Sequence, residues 1–155
     1  MLVKAKRESI EKPMRQTQKS LPIALLRARE AVMAGFRPML ASHDLNEQQW
    51  RVLRVLEEHG ELDATQLAAN TYILAPSLTR MIKSLNARNM ITSVKDRNDA
   101  RRSLLRLTQD GRDKIEEVTV DSAKVYAALD TKHGAANVEA LLSMLDDLVA
   151  DISKQ

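Results

Sequence analysis

The chain has 155 residues, of which 44% are hydrophobic and 3% aromatic, and its formal net charge is +3. This length predicts one compact domain or two closely joined lobes, and the many helix-forming residues predict a mostly α fold. The absence of cysteine excludes a disulfide framework, a thiolate zinc site and a thiol-based peroxide sensor. Because we find neither an apolar run of about 18 residues nor a signal-peptide pattern, we expect a soluble, cytoplasmic protein without a membrane partner.

Charged residues are distributed unevenly along the chain. Residues 1–19 and 60–107 each have a net charge of +4, residues 20–59 are neutral, and residues 108–155 have a net charge of −5. This polarity would present one basic side to a polyanion, although an ordinary solvated surface is an equally good interpretation. Residues 1–19 are predicted to be a basic N-terminal arm, which either adds non-specific phosphate contacts or is a loose basic tail.

The first long helix is predicted to begin near Ser20, with Pro22 in its first turn. Apolar residues recur along it at helical spacing: Leu21, Leu25, Ala28, Val32, Phe36 and Met39. Arg29 falls in the middle of this stripe, where an unpaired charge would be costly to bury. Two interpretations remain open, an ion pair within or between chains and a group that binds a ligand carboxylate in an apolar pocket.

A second helix is predicted to start with a capping box made by Asn46 and Gln49. Its buried side is formed by Leu45, Val52, Leu53 and Leu56. Trp50 lies at the edge of that side and is more typical of a core residue than of a cofactor platform. The chain contains three histidines, His43, His59 and His133. None has metal-ligand spacing, so we interpret all three as surface or linker residues and predict no metal.

The next segment has the pattern of a helix-turn-helix motif. Asp63 is predicted to cap a short helix over residues 64–70, a turn follows at 70–74, and Pro76 opens a second helix over residues 76–88, which Asn89 closes in a left-handed conformation. One side of the second helix is an apolar seam formed by Leu78, Met81, Ile82 and Leu85. The other side is polar and cationic and carries Pro76, Thr79, Arg80, Lys83 and Ser84. Such a helix suits the DNA major groove.

A basic hairpin follows this helix. Two strands are predicted at residues 91–95 and 103–107, and the connection at 96–102 holds three arginines and two aspartates. A cationic tip on a hairpin suits the phosphate backbone or the minor groove. Helix, turn, helix and basic hairpin together predict a winged helix-turn-helix lobe over residues 45–107.

Two further helices complete the chain. Thr108 is predicted to cap a long helix whose apolar stripe includes Ile115, Val118 and Val125, and a last helix starts near Ala135. These stripes exceed what a small domain covers, so we expect paired chains, with packing against the first helix as the alternative. The predicted fold is therefore mostly α with a small β-wing. It combines the lobe with a helical dimerisation region at 20–44 and 108–155.

The segment Asp-Arg-Asn-Asp-Ala-Arg-Arg at 96–102 resembles the wing signature of the MarR family of bacterial transcriptional regulators. Pro-Ser-Leu-Thr-Arg at 76–80 resembles the recognition helix of that family, and the likeness extends from about residue 20 to the carboxy terminus. Within the family, residues 29–33, 36–38 and 47–51 are similar to the homoprotocatechuate (hydroxyphenylacetate) degradation repressors. One departure is Asn89, where many relatives have glycine, although asparagine also tolerates that conformation.

This resemblance implies a homodimer that places two lobes on one palindromic double-stranded operator. It also implies that Arg101 enters the minor groove, that Asp99 orients the wing, and that Ser77, Thr79 and Arg80 face the major groove. The full set of predicted DNA-binding residues is Pro76, Ser77, Thr79, Arg80, Lys83, Arg97, Asp99, Arg101 and Arg102. The family's effectors are small aromatic acids, for which the candidate binding residues are Arg29, Phe36, Gln49 and Trp50.

The predicted function is a sequence-specific regulator, a repressor of an aromatic-acid catabolic operon that a small aromatic acid relieves. A non-specific architectural DNA-binding protein without an effector is the first alternative. A protein-interaction module that binds an acidic partner is the second. We predict neither an enzyme nor a cofactor, because the sequence has no nucleophile–base pair, no metal cluster and no glycine-rich phosphate loop.

Overall fold

The computed structural model describes residues 19–154, so the predicted basic arm lies almost entirely outside the described residues. The described part contains six helices and three strands: α1 (Leu21–Ser42), α2 (Glu47–His59), β1 (Glu61–Leu62), α3 (Ala64–Thr71), α4 (Ala75–Ala87), β2 (Ile91–Lys95), β3 (Ser103–Leu107), α5 (Gln109–His133) and α6 (Ala135–Ser153). The described residues divide into two compact units, 19–33 and 34–154. No helix between residues 19 and 154 is long and apolar enough to cross a lipid bilayer.

The sheet is antiparallel with the strand order β1-β3-β2. Both predicted strands are confirmed at both ends, and their register pairs Ile91 with Leu107 and Lys95 with Ser103. The strand β1, which pairs Leu62 with Leu105, was not predicted from the sequence. Two residues are too few to produce an alternating pattern, so only the pairing with β3 identifies this strand.

Side chains that cap helices set the boundaries of α2, α3 and α5. The Asn46 Oδ1 atom accepts a hydrogen bond from the Gln49 backbone N–H at 2.8 Å, and the Gln49 Oε1 atom accepts one from the Asn46 N–H at 2.9 Å. Asp63 caps α3, and Thr108 accepts from the Gly111 N–H at 3.0 Å. The three predicted caps are confirmed. Each satisfies a backbone N–H that lacks a partner within its helix.

The core of the second unit lies where α2, α3 and α4 meet the sheet. Leu53, Leu67 and Leu85 each come from a different helix and are fully buried, together with Ile91 and Ile115. The predicted buried side of α2 is confirmed, since Leu45, Val52, Leu53 and Leu56 are all buried. This core holds α4 by one side and leaves its opposite side facing outward.

The long helices bury far less of their apolar stripes. Only Phe36 and Leu40 are buried in α1, and α6 has no buried residue. The exposed large hydrophobic residues on α1, α5 and α6 are Leu21, Leu25, Leu26, Val32, Val120, Tyr126, Leu141, Leu142, Met144, Val149 and Ile152. Where such side chains form a large contiguous apolar patch, they mark an interaction site.

Candidate nucleic-acid interface

The helix α4 has the amphipathic character that its sequence predicts. Leu78 and Leu85 are buried, Met81 and Ile82 pack partly buried against the core, and Arg80 is exposed. Also exposed on α4 are Pro76, Thr79 and Lys83, while Ser77 is half-buried. A polar, cationic ridge therefore projects from the core on a helix about 20 Å long, at 1.5 Å per residue.

Local hydrogen bonds organise the first turns of this ridge. The Thr79 hydroxyl donates to the Ala75 carbonyl at 3.0 Å, and the Arg80 Nη2 group donates to the Ser77 hydroxyl at 3.3 Å. After α4, Asn89 has a φ of 54°, which confirms the predicted left-handed residue. Its side-chain amide donates to Asp110 at 2.8 Å and so links the end of α4 to the start of α5.

Ser84 differs from its predicted position on the polar side of α4. It is half-buried, and its hydroxyl accepts a hydrogen bond from the Gln49 Nε2 group at 3.0 Å. Ser84 lies on the flank of the helical wheel, where the packing of α2 decides whether a small polar side chain contacts protein or water. Its prediction as part of the outward face is wrong for this reason.

The wing is a hairpin whose tip is ordered by two aspartates. The Asp96 carboxylate accepts from the Asn98 N–H at 2.9 Å, and the Asp99 carboxylate accepts from the Arg101 N–H at 2.9 Å. Backbone and side chain thereby form Asx-type turns that shape the connection between β2 and β3. Arg97 and Arg101 are exposed, and among residues 19–154 neither side chain forms an ion pair.

Arg102 is held differently from these two arginines. Its Nη2 atom lies 2.5 Å from the Asp63 carboxylate, and its Nη1 atom lies 3.6 Å from the Asp96 carboxylate. The hydrogen bond to Asp63 raises the pKa of Arg102. The pKa of Asp63 is lowered, first by the Gln66 backbone N–H and then by Arg102. Arg102 therefore fastens the wing to the start of α3, and its contact with DNA stays a prediction.

The predicted effector residues lie in different surroundings. In the second unit, the Phe36 ring packs edge-to-face on Tyr126 at a centroid distance of 4.9 Å. Gln49 is buried between its contacts with Asn46 and Ser84, and Trp50 is half-buried beneath the Arg54 guanidinium. In the first unit, Arg29 forms an ion pair with Glu30 at 3.2 Å. This pair matches one of its two interpretations, and the carboxylate-binding role stays a prediction.

His43 lies in the connection between α1 and α2, which agrees with its prediction as a surface or linker residue, but its side chain is buried. Only 9% of His43 is exposed. Its Nδ1 atom lies 3.0 Å from a Glu117 carboxylate oxygen, and its Nε2 atom lies 2.9 Å from one of Asp121. The two acids share one face of α5, but a distance of more than 70 residues along the chain gives no sequence signal for the contact with His43.

The carboxylates around His43 are stabilised in their charged form. The pKa of Glu117 is lowered by hydrogen bonds from Lys114 and then His43, and the pKa of Asp121 is lowered by Lys124 and then His43. Between residues 19 and 154, no group of three His, Cys, Asp or Glu residues could hold a metal ion. The His43 contacts therefore join the segment after α1 to α5 through charged hydrogen bonds.

Comparisons with known proteins agree with this geometry. The MarR family model matches residues 45–103, which lie within the predicted lobe. The chain is 37% identical to the HTH-type transcriptional regulator FarR of Neisseria gonorrhoeae over 142 residues, 92% of this chain and 94% of FarR. It is 34% identical to the homoprotocatechuate degradative operon repressor of Escherichia coli over 131 residues, 84% of this chain and 88% of the repressor.

A solved structure extends the likeness to the fold. The crystal structure of NadR in complex with 4-hydroxyphenylacetate matches with a TM-score of 0.74 and 36% sequence identity, covering 92% of this chain and 98% of NadR. Together with the amphipathic α4 and the arginine-bearing wing, these likenesses identify the lobe as a winged helix-turn-helix. The chain belongs to the MarR family of DNA-binding transcriptional regulators.

Proposed function

We propose that this chain is a homodimeric repressor of an aromatic-acid catabolic operon, and that a small aromatic acid relieves the repression. One observation carries the DNA-binding part of the proposal. The exposed ridge of α4 and the wing arginines, which form no ion pair within the described part of the chain, belong to one lobe, so the same core positions both. A recognition helix and a wing on one core can contact adjacent grooves of a duplex.

In this proposal, the ridge of α4 enters the major groove and the wing tip lies against the minor groove. Thr79 and Arg80 supply specificity, at about 1–3 kcal/mol for a well-formed bidentate contact. Arg97 and Arg101 supply salt-dependent affinity for phosphates and for the negative potential of a narrow minor groove. Asp99 acts indirectly, because it holds the turn that carries Arg101.

Dimerisation is assigned to the helices at 20–44 and 108–155, which flank the lobe in sequence. The exposed apolar side chains on α5 and α6 support this assignment, because a second copy of the chain would remove them from water. Two lobes in a dimer must present their recognition helices about 34 Å apart to meet successive major grooves of a palindromic operator.

The effector proposal is supported by the relatives. One is named for a homoprotocatechuate degradative operon, and the NadR structure contains 4-hydroxyphenylacetate. We assign the carboxylate-binding role to Arg29 and aromatic or amide contacts to Phe36, Gln49 and Trp50. To relieve repression, the ligand needs only to stabilise a dimer whose two lobes are separated by a distance that does not match successive major grooves of the operator. The coupling energy between ligand binding and DNA binding would be about 1–3 kcal/mol.

The proposal is tested by selecting duplexes from a random pool with the purified protein and titrating the enriched duplex against random DNA. A repressor should bind the enriched duplex at least about 10³-fold more tightly. Equal affinities would instead indicate an architectural DNA-binding protein. Hydroxylated phenylacetates, cinnamates and benzoates are then screened by thermal shift, and an active compound should release the enriched duplex.

The assignment of Arg29 has its own test. Arg29→Met keeps the length and apolar character of the side chain but removes the fork that binds a carboxylate. We expect the affinity for the active acid, measured by calorimetry, to fall about tenfold, the effect of losing one charged hydrogen bond, while DNA binding stays unchanged. An unchanged affinity of the variant for the active acid would mean that Arg29 has only a structural role, in an ion pair.

A further inference from the structure

Two large apolar side chains of the lobe are almost fully exposed to solvent and do not contribute to its core. Tyr72 is 87% exposed and Leu74 is 80% exposed. In the described part of the chain, every other exposed large hydrophobic residue lies on α1, α5 or α6, and the next most exposed, Met144, reaches 69%. Tyr72 and Leu74 instead lie in the turn between α3 and α4, directly before the recognition helix.

The turn displays these two side chains because their neighbours anchor it. Thr71 and Ile73 are buried, so burial and exposure alternate along the turn. The Thr71 hydroxyl donates to the Leu67 carbonyl at 2.7 Å, and the Thr71 carbonyl accepts from the Arg51 guanidinium at 3.0 Å. The buried neighbours and the hydrogen bonds of Thr71 therefore hold the backbone of the turn in place and fix the outward positions of Tyr72 and Leu74.

The backbone at Tyr72 gives no structural reason for an aromatic residue. Its φ is 55° and its ψ is 31°, in the left-handed region that glycine and asparagine adopt most easily. A bulky side chain in this conformation is unfavourable for folding, and its exposed ring contributes no packing in return. A residue that opposes local stability in this way is more consistent with a role in binding.

The surroundings of the turn favour a nucleic acid as the binding partner. The Leu74 carbonyl accepts the hydrogen bond of the Leu78 N–H at 2.9 Å, so Leu74 starts the helix that carries Ser77 and Arg80. The segment 60–107 has a net charge of +4. Two isolated apolar side chains are too few for a protein interface, whose anchors sit within a larger apolar core. The major groove presents an apolar group suited to one side chain, the thymine methyl.

We propose that Leu74 packs on a thymine methyl in the major groove and that the Tyr72 phenol donates a hydrogen bond to a backbone phosphate. This assignment rests on the proposed sequence-specific DNA binding and extends the reading surface beyond α4 and the wing. Tyrosine hydroxyls are common phosphate donors, and they position the protein without reading sequence. Leu74 then discriminates between bases, whereas Tyr72 contributes affinity on any duplex.

The test uses the duplex that the wild-type protein enriches from a random pool. Each thymine is replaced in turn by uracil, which lacks only the methyl group. For the wild-type protein, one thymine in each half-site should lose about fourfold in affinity on this replacement, the ~0.8 kcal/mol of one buried methyl-sized group. Leu74→Ala should bind the thymine and uracil duplexes equally at that position, and Leu74→Met should keep the preference.

Tyr72 is tested by a matched pair of substitutions. Tyr72→Phe removes only the hydroxyl and should weaken binding about tenfold on thymine and uracil duplexes alike, since one charged hydrogen bond is lost. Tyr72→Asn suits the left-handed backbone, lacks the ring and should weaken binding at least as much. Both side chains are exposed, so thermal unfolding of Leu74→Ala, Leu74→Met and Tyr72→Phe should match the wild type. Tyr72→Asn should unfold at the same or a higher temperature, because asparagine adopts the left-handed conformation more easily.

The outcomes separate the two proposals. A protein that enriches no sequence overturns the proposed function, and this assignment with it. A protein that enriches a sequence but tolerates uracil at every position overturns only the role of Leu74, as does a thymine preference that Leu74→Ala retains. Wild-type affinity in Tyr72→Phe overturns the phosphate contact.

Discussion

The proposed lobe at 45–107 buries most of its large apolar side chains, whereas the two C-terminal helices, α5 and α6, leave many of theirs exposed. In the lobe, most of the large aliphatic side chains of α2, α3, α4 and the sheet are packed in one core, whereas Tyr72 and Leu74 in the turn before α4 are exposed. In α5 and α6, seven large hydrophobic side chains are exposed. The lobe is therefore complete within one chain, whereas α5 and α6 need a further surface to cover them. Polar residues on the lobe are left to contact a partner without disturbing its core.

The strongest test of this contrast is Leu53→Ala. Leu53 is fully buried in the lobe, so the substitution should lower the free energy of unfolding by about 2–5 kcal/mol through lost burial and a residual cavity. Urea denaturation at fixed protein concentration measures the change. Leu74→Ala makes the same replacement at an exposed position and should change stability by less than about 0.5 kcal/mol. Similar losses in both variants would contradict a self-contained core.

A second test concerns the exposed stripe of α6. Leu141→Lys places a charge within that stripe, and burying it at an interface between two chains would be unfavourable. We expect the dimer dissociation constant, measured by analytical ultracentrifugation, to rise more than tenfold. Glu139→Lys is the matched control, because residue 139 lies on the opposite side of the helical wheel. If the two lysine substitutions changed the dimer dissociation constant equally, or if the wild-type protein were monomeric, the assignment of α6 to the dimer interface would be wrong.

A third test asks whether the lobe uses Arg97 and Arg101, which have no ion-pair partner among residues 19–154, to bind DNA. Arg101→Ala should weaken binding to the enriched duplex about tenfold or more and reduce the salt dependence of binding, while the dimer stays intact. Arg54→Ala is the control, since Arg54 is already paired with Glu57 on α2. A gel-shift titration at several salt concentrations compares the two. Wild-type affinity in Arg101→Ala would contradict the assignment of the wing.

The smallest expected effect concerns the link between His43 and α5. The pKa values of Glu117 and Asp121 are lowered in the folded state from ordinary values of 4.5 and 3.8. Their stabilising contribution is therefore complete above those values and is lost as the pH falls through the lower folded-state values. His43→Gln removes one of the partners that lower them. Urea denaturation should show a larger stability difference between wild type and variant at pH 6 than at pH 3, and a constant difference would contradict the linkage.

Several features of the fold could be predicted because their signals are local. The caps at Asn46, Asp63 and Thr108 depend on residues within one helical turn. The bounds of β2 and β3 follow from short alternating runs separated by turn residues. The apolar seam of α4 follows from its own periodicity. Each of these patterns is completed within a few residues, so distant parts of the chain have little influence on it.

The helix caps, the paired strands and the outward cationic side of α4 are encoded locally, since each depends on neighbours along the chain. Tertiary structure alone decided that Arg102 holds Asp63, that Ser84 meets Gln49 and that His43 is enclosed by Glu117 and Asp121. These contacts join residues that are 35 to 78 positions apart along the chain. From the sequence alone, each of these polar or charged side chains could equally face water. Packing of the core brings the buried Gln49 and His43 against their partners, and the high free energy of an unpaired buried hydrogen-bonding group then keeps them paired.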